Sequence, residues 1–447
     1  MENTQTKDII LQLIEDKKYK AVREMLEDYN TVDLAEILME LDDKDLAIVF
    51  RMIDKEVASE VFSYMDDDQR QYLINVFTDR EITEILENMY TDDAVDFLDD
   101  MPANVVTKLL SKVNKDTRAD INRLLQYPED SAGSIMTVEY VELQYNMDIS
   151  EALDAIRRQG LGSETVYTCY VVERKELKGI VTAKELMTNE PDVLIKDIML
   201  DNFVYIRTTD DKEDAAKLFH KYGLIAIPVI DTGNRMVGIV TFDDAIDVLQ
   251  EETTEDIHKM AAIEASDDTY LKMGVFEHVR HRIIWLIVLM LIAGVTGFII
   301  KSNEKLVSLL PALFVFLPTL MDTGGNAGSQ SATLIIRGLS VDELDFSDFL
   351  SVLWKEIRVG FIIGIILAIL EYIIVYFVSG FSIPIGIAVS VSLLLTVIVS
   401  KLIGCSLPML ASKVKLDPAI MASPVITTIV DICSIAIYFA ITVKLVQ

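Results

Sequence analysis

The order of apolar and polar positions divides the chain into three regimes. Up to about residue 130 the apolar residues recur at helical spacing, and almost no Gly or Pro precedes Pro102, which predicts helix after helix. A 24-residue period runs through this part. Glu36-Ile37-Leu38 with Leu41 returns as Glu60-Val61-Phe62 with Met65, and again as Glu84-Ile85-Leu86 with Met89. Leu109, Leu110 and Val113 continue the apolar half without the Glu. Such a repeat predicts stacked helices that bury one another's apolar faces, a small α-helical solenoid. Asp66-Asp67-Asp68, Asp92-Asp93 and Asp99-Asp100 fall at the expected turns, where Asp is a favoured cap.

At Tyr127–Thr137, YPEDSAGSIMT, the pattern changes to short β-branched runs alternating with helices. GIVT occurs at Gly179–Thr182 and again 59 residues on, at Gly238–Thr241. Each copy follows a strand ending in an acid, YVVE at Tyr170–Glu173 and IPVID at Ile227–Asp231, and Ile135-Met136 and Ile198-Met199 precede the two units in matching places. Two tandem βαββα units with this wording resemble a pair of CBS domains. That resemblance implies a nucleotide site in the second unit, with Thr241 and Asp244 as the Thr-x-x-Asp that holds a ribose, and hence ATP as a candidate cofactor. The first unit departs from the pattern, with Glu185 following Thr182. A purely structural, dimer-forming role fits a CBS pair equally well.

Residues Gln250 to Lys272 are polar and acidic, and predict a single connecting helix of about 35 Å at 1.5 Å per residue. Five apolar runs follow, around Ile283–Ile300, Leu306–Ile336, Leu353–Val378, Ile383–Leu410 and Ala419–Val446, each near or above the ~20 residues a membrane-crossing helix needs. Arg280, Arg282, Arg337, Lys355, Arg358, Lys413 and Lys415 fall on one side of the expected spans, and Lys301, Lys305 and Lys444 on the other. The excess of positive charge puts the first side in the cytoplasm. The opening MENTQTKDII lacks a signal-peptide core, so the first soluble part is expected to stay cytoplasmic too.

Within the second run, LPTLMDTGGNAGSQSATLIIRGL (Leu317–Leu339) carries an Asp, an Asn and a Gln among apolar neighbours. Pro318 and Gly324-Gly325 predict a break in the helix that frees backbone groups for a permeant species. Asn326 offers a neutral carbonyl oxygen on such a path, while the surrounding Gly, Ala and Ser read equally well as a packing face for a neighbouring helix. Asp431 lies mid-span in PVITTIVDICSIAIYF, sharing a helical face with Thr427 and Thr428. A carboxylate and hydroxyls suit a hard, hydrated cation, though a proton relay or a protonated structural Asp also fits. Asp417 opens the last run, as a cation-gathering group at the pore mouth or as a plain N-cap. Glu371 and Lys401 are further intramembrane charges without an evident partner, and Lys401 is expected to snorkel.

The formal net charge is −31, and 61 of the 71 acidic residues precede Arg280, against 29 of the 40 basic ones. A surface so acidic repels nucleic acid and attracts multivalent cations, although a solvated surface accounts for the charge as well. Cys169, Cys405 and Cys433 are widely spaced, and neither a CxxC nor an HExxH appears, so there is no disulfide framework and no soft-metal pattern.

GGNAGSQSATLIIRGL, KLDPAIMASPVITTIVD and YPEDSAG together resemble the MgtE family of magnesium channels and transporters, and the resemblance covers the whole chain in order. It implies a multidomain membrane protein: an N domain to residue 130, the CBS pair at 131–250, a connecting (plug) helix at 251–277 and a five-helix transmembrane domain at 278–447. It also implies a homodimer in the lipids of the cell membrane, with a Mg²⁺ pore at the subunit interface lined by the second and fifth spans. Carried over by position, Asp431, Asn326 and Asp417 belong to the pore. Asp92, Asp93, Asp96, Asp244, Asp247, Glu252, Glu255 and Asp256 belong to a cluster where intracellular Mg²⁺ binds and shuts it. Two other readings remain: a broader carrier of Co²⁺, Mn²⁺ or Zn²⁺, and a membrane-anchored nucleotide sensor that transports nothing. An enzyme has least support, since neither a nucleophile–base pair nor a P-loop is present.

Overall fold

The computed structural model describes residues 2–99, 101–266, 270–271, 273–304 and 311–446. Asp100, Lys305 and the start of the second apolar run lie outside the described residues. The chain forms two compact units, one ending at Leu249 and one beginning at Gln250.

In the first unit, ten short helices run from Glu2–Glu15 to Lys115–Leu124. The 24-residue period is the packing period. Leu38, Leu41, Phe62, Met65, Leu86 and Met89 are all buried, while Glu36 and Glu60 stay on the surface. The helices stack largely on their next-but-one neighbours. Phe62 joins three of them, edge-on to Phe50 at 6.1 Å and to Phe97 at 5.0 Å. Asn30, Asp42, Thr78 and Asn114 cap four of these helices with their side chains.

Two three-stranded sheets follow. In each, a parallel pair enclosing a helix is extended by an antiparallel hairpin: Tyr140–Gln144, Thr165–Glu173 and Glu176–Thr182, then Ile206–Arg207, Ala226–Ile230 and Met236–Thr241. The repeated words of the sequence meet across the pair. The segment before the first unit bridges the second, Thr137 to Ile239, and the segment before the second bridges the first, Leu200 to Ile180. A Cβ on Gly179 would fall 2.8 Å from the Leu200 carbonyl, and one on Gly238 2.6 Å from that of Thr137, with Met199 and Met136 alongside. Only glycine admits this crossing, which is why Gly and Met recur together.

The expected connecting rod is shorter and earlier than the sequence predicts. Its helix, Phe242–Met260, grows directly out of the last strand and stops at Met260. Ala262 takes a left-handed φ of 55°, and Ile263 N–H closes back on the His258 carbonyl at 2.9 Å, a helix-ending bond pattern usually built with Gly. No glycine announces it.

Among the described residues the second unit holds five long helices: Val275–Ser302, Leu317–Ser340, Phe349–Ile373 with a π-turn at Ile374–Val378, Ile383–Lys413, and Ser423–Val446. Among the described residues, four of these segments are long and apolar enough to cross a membrane, and Leu317–Ser340 is not one of them. This polar helix is nonetheless continuous, and the predicted break is absent. Pro318 sits in its first turn, where a missing N–H is harmless. Its glycines are packing surfaces: a Cβ on Gly324 would press on Thr396, Val430 and Ser434, and one on Gly325 on Thr427. The small residues of GGNAGS therefore do form a packing face.

Gly404 of Ile383–Lys413 lies so close that a Cβ there would run into the Gly328 carbonyl. Ala is normally favoured over Gly inside a helix by about 0.5–1 kcal/mol. Gly404→Ala should still lower the thermal midpoint of the purified protein, read by size-exclusion after heating. Gly297→Ala, which meets open space, should leave it unchanged or raise it.

Candidate ion path and acidic cluster

The polar helix and the last helix run antiparallel in close register. Ser329 Oγ lies 2.9 Å from Ser423 Oγ, and Gly325 and Gly328 pack on Thr427 and Ile426. That register sets Asp322 level with Asp431, and the two carboxyls lie within electrostatic reach. Asn326, one turn further on, donates from Nδ2 to Asp322 Oδ2 at 3.2 Å. Asp431 is half-buried, whereas Asp322 and Asn326 are exposed. Thr427 and Thr428 do share the helix with Asp431, but both hydroxyls donate to the Pro424 carbonyl, at 3.1 and 2.7 Å, leaving only lone pairs for an ion. Asp322 was visible in the sequence, four residues before Asn326, yet only the helix register makes it a partner of Asp431.

Asp417 is both cap and ion-pair partner. Its Oδ1 accepts from Ala419 N–H at 2.8 Å, and its Oδ2 stands 2.7 Å from Lys259 Nζ. Lys259 also pairs with Glu255 at 2.6 Å. Burial works against the charge of Lys259, yet the bonds to Asp417 and Glu255 hold its pKa above the usual lysine value. Two of the expected metal-binding carboxylates thus already have a tethered cation. The expected snorkelling of Lys401 is also corrected: it is buried and pairs with Glu356 at 3.8 Å. Glu371 is buried as well.

The first unit gathers a second group of acids. Thr91 opens the helix Thr91–Asp99 and bonds Glu139, through N–H at 3.3 Å and Oγ1 at 2.5 Å. This places Asp92 and Asp93 against the start of Phe242–Met260, where burial and the charges of Asp244, Asp93 and Glu164 push the Asp92 carboxyl far above its usual range. Burial, with Asp243 adding to it, lifts Asp93 to about 6 against the pull of Ser63 and Arg70. Asp244 rises to about 6, through burial and Asp243, despite two bonds from Thr241. Glu164 rises to about 8, through burial and the charges of Asp243, Asp244 and Asp93, and its buried Oε2 has no hydrogen-bond partner.

Of the expected sensor residues, Asp92, Asp93 and Asp244 thus come together. Asp96 and Asp247 are exposed on the same two helices. Glu252, Glu255 and Asp256 lie further along, in the second unit. Glu139, Glu164 and Asp243 complete the cluster and were not foreseen; Glu164 sits in a turn whose sequence, LGSET, carries no signal of it. Thr241 and Asp244 form a helix cap here, as Thr182 and Glu185 do in the first βαββα unit. Among the described residues, no three His, Cys, Asp or Glu side chains converge to form a metal-ligand set within one chain.

Comparison with known proteins now adds to this geometry. Residues 317–441 match the MgtE family described as a divalent cation transporter, residues 29–130 the MgtE intracellular N domain, and residues 132–191 and 195–251 the CBS domain. The magnesium transporter MgtE of Thermus thermophilus is 36% identical over 332 residues, spanning 74% of this chain and 73% of that protein. The magnesium transporter MgtE of Bacillus subtilis is 29% identical over 376 residues, 84% of this chain and 83% of that protein. Among solved structures, the cytosolic domain of the Mg²⁺ channel MgtE in complex with ATP matches at 33% identity with a TM-score of 0.51, covering 54% of this chain and 98% of that one. The soluble part of a magnesium transporter matches at 28% identity with a TM-score of 0.53, over 56% of this chain and 99% of that one. The chain belongs to the MgtE family, and it is a membrane protein.

Proposed function

We propose that this protein is a Mg²⁺ channel of five spans, working as a homodimer, that admits Mg²⁺ down its gradient and closes when intracellular Mg²⁺ binds its acidic cytosolic faces. The observation that carries the reading is the level pairing of Asp431 with Asp322, with Asn326 beside them. Two carboxylates and an amide oxygen are too few to strip a small hard cation, and suit one that keeps most of its waters, as Mg²⁺ does. A second copy of the chain across a two-fold axis would double this donor set. Softer metals favour thiolate and imidazole, and no His lies beyond His281 in the sequence. The relatives named as magnesium transporters support the same choice of ion.

The acidic cluster supports the closing step. Carboxylates held together without a cation repel, and a divalent ion entering among them relieves that repulsion, favouring the packed state as Mg²⁺ rises. ATP is the candidate ligand of the CBS pair, on the strength of the ATP-bound relative. A cleft of about 460 Å³ lined by Asn202, Phe203, Val204, Tyr205, Leu218 and Tyr222 offers aromatic faces for a base.

Two experiments test the reading. In proteoliposomes, Asp431→Ala should reduce Mg²⁺ influx at least about tenfold, equivalent to about 1.4 kcal/mol, and Mg²⁺ on the side of the soluble unit should suppress the wild-type flux. Undiminished flux in Asp431→Ala would move the ion site elsewhere.

The second test reads pH. Because the folded pKa values of Asp93, Asp244 and Glu164 lie above the ordinary 3.8–4.5, the folded cluster holds protons that the opened one releases. Its stability is therefore full below those ordinary values and falls as pH rises through about 6 to 8. Hydrogen exchange across Thr91–Asp99, corrected for its intrinsic pH dependence, should accelerate over that window in metal-free protein. Saturating Mg²⁺ should restore protection, and Asp92→Asn with Asp244→Asn should flatten both effects.

A further inference from the structure

A buried polar contact joins three helices of the second unit at a point the ion path does not use. Lys401 lies twelve residues from the C-terminal end of Ile383–Lys413 and is 4% exposed. Its Nζ donates to Ser331 Oγ of the polar helix at 3.1 Å and stands 3.8 Å from Glu356 Oε2 of Phe349–Ile373. The Ser331 hydroxyl donates onward to the same Glu356 oxygen at 2.6 Å. One hydroxyl therefore bridges a lysine and a glutamate anchored on two different helices. Ile335, Val352, Cys405 and Met409 pack together around the polar helix nearby as a buried apolar cluster.

A buried ion pair of this kind adds little to stability, since apolar groups of the same volume often serve as well. What it fixes is geometry. The ammonium and the carboxylate face Ser331 from two rigid helices and hold its hydroxyl at one rotation and one depth. At about 100° per residue, Ser331 lies about 140° around the helix from Asn326 and about 180° from Asp322. The contact thus grips the polar helix on the side away from its acidic face.

We propose that Glu356, Ser331 and Lys401 form a positioning clamp that sets the rotation and depth of Leu317–Ser340, and with them the placement of Asp322 and Asn326 against Asp431. This rests on reading that face as the ion path. The clamp residues touch no ion. They act through the polar helix, so their loss is felt in the apparent affinity and choice of ion before it is felt in folding.

The test uses the full-length protein in proteoliposomes, with Ser331→Ala, Ser331→Thr and the double variant Glu356→Leu/Lys401→Met beside wild type and Asp431→Ala. Ser331→Ala should purify as a single species with a near-native thermal midpoint. Its half-saturating Mg²⁺ should rise by about threefold or more, as a misplaced binding group produces, and its preference for Mg²⁺ over Ca²⁺ should fall. Ser331→Thr, which keeps the hydroxyl, should restore both. The double variant should keep its thermal midpoint and share the Ser331→Ala defect.

A second readout is independent of transport. Cysteines at Ser329 and Ser423, whose hydroxyls lie 2.9 Å apart, should cross-link readily with Cys433 replaced by Ser, and less readily once Ser331→Ala is added. Wild-type half-saturation, ion preference and cross-linking in Ser331→Ala would overturn the clamp, whether or not the double variant folds. Undiminished flux in Asp431→Ala with weakened cross-linking in Ser331→Ala would instead remove the ion-path reading and leave the clamp in place.

Discussion

A carboxylate taken out of water needs a counter-charge, a set of donors or a proton, and the placement of acids in this protein follows from which of these each one has. Glu356 has Lys401, and Glu255 and Asp417 share Lys259. In the helical repeat, Glu81 has Arg51 and Glu84 has Lys55. All but the Glu255–Lys259 pair, which lies within one helix, tie one element to another, and all are complete within the chain. No ion pair among the described residues reaches Asp431, Asp322, Asp92, Asp244 or Glu164. Asp322 and Asp431 stand level on neighbouring helices, and Asp92, Asp244 and Glu164 are gathered where burial and neighbouring carboxylates make a charge harder to hold. On the proposed function a mobile cation is the partner such groups lack, and the distribution of lysines then sorts structural acids from ion-handling ones more sharply than the acids' own positions do.

That sorting was only partly legible in the sequence. The repeats were, because each reports a contact made many times over or made by a glycine. The 24-residue period marks Phe62, Met65, Leu86 and Met89 as core, and GIVT with Ile-Met marks the crossed βαββα units. The break expected at Pro318 and Gly324-Gly325 was misread because both residue types are helix breakers only in isolation. Proline in a first turn gives up nothing, and glycines against Thr396 and Thr427 gain close contact that outweighs their poor propensity. The connecting helix ended early because its stop is an alanine in a left-handed conformation, for which the sequence has no signature. Lys401 lacked a visible partner because Glu356 and Ser331 stand 45 and 70 residues away in the chain and meet it only through packing.

The proposed closing step would be a regulator built from weak parts. Moving a population from 1:99 to 99:1 takes about 5.5 kcal/mol in all, which no single exposed carboxylate pair supplies. Asp92, Asp93, Glu164 and Asp244 are partly or wholly buried, and neighbouring carboxylates, Asp243 among them, add to the burial that makes their charges hard to hold. A cation entering among them therefore relieves several repulsions at once. Protons relieve the same repulsions, so acid and divalent ions act on the packed form in the same direction. A cluster with its own lysine would be tighter and indifferent to both. On the proposed function, responsiveness comes from leaving most of this charge unmatched, so that a divalent ion or a proton can supply what the packing withholds.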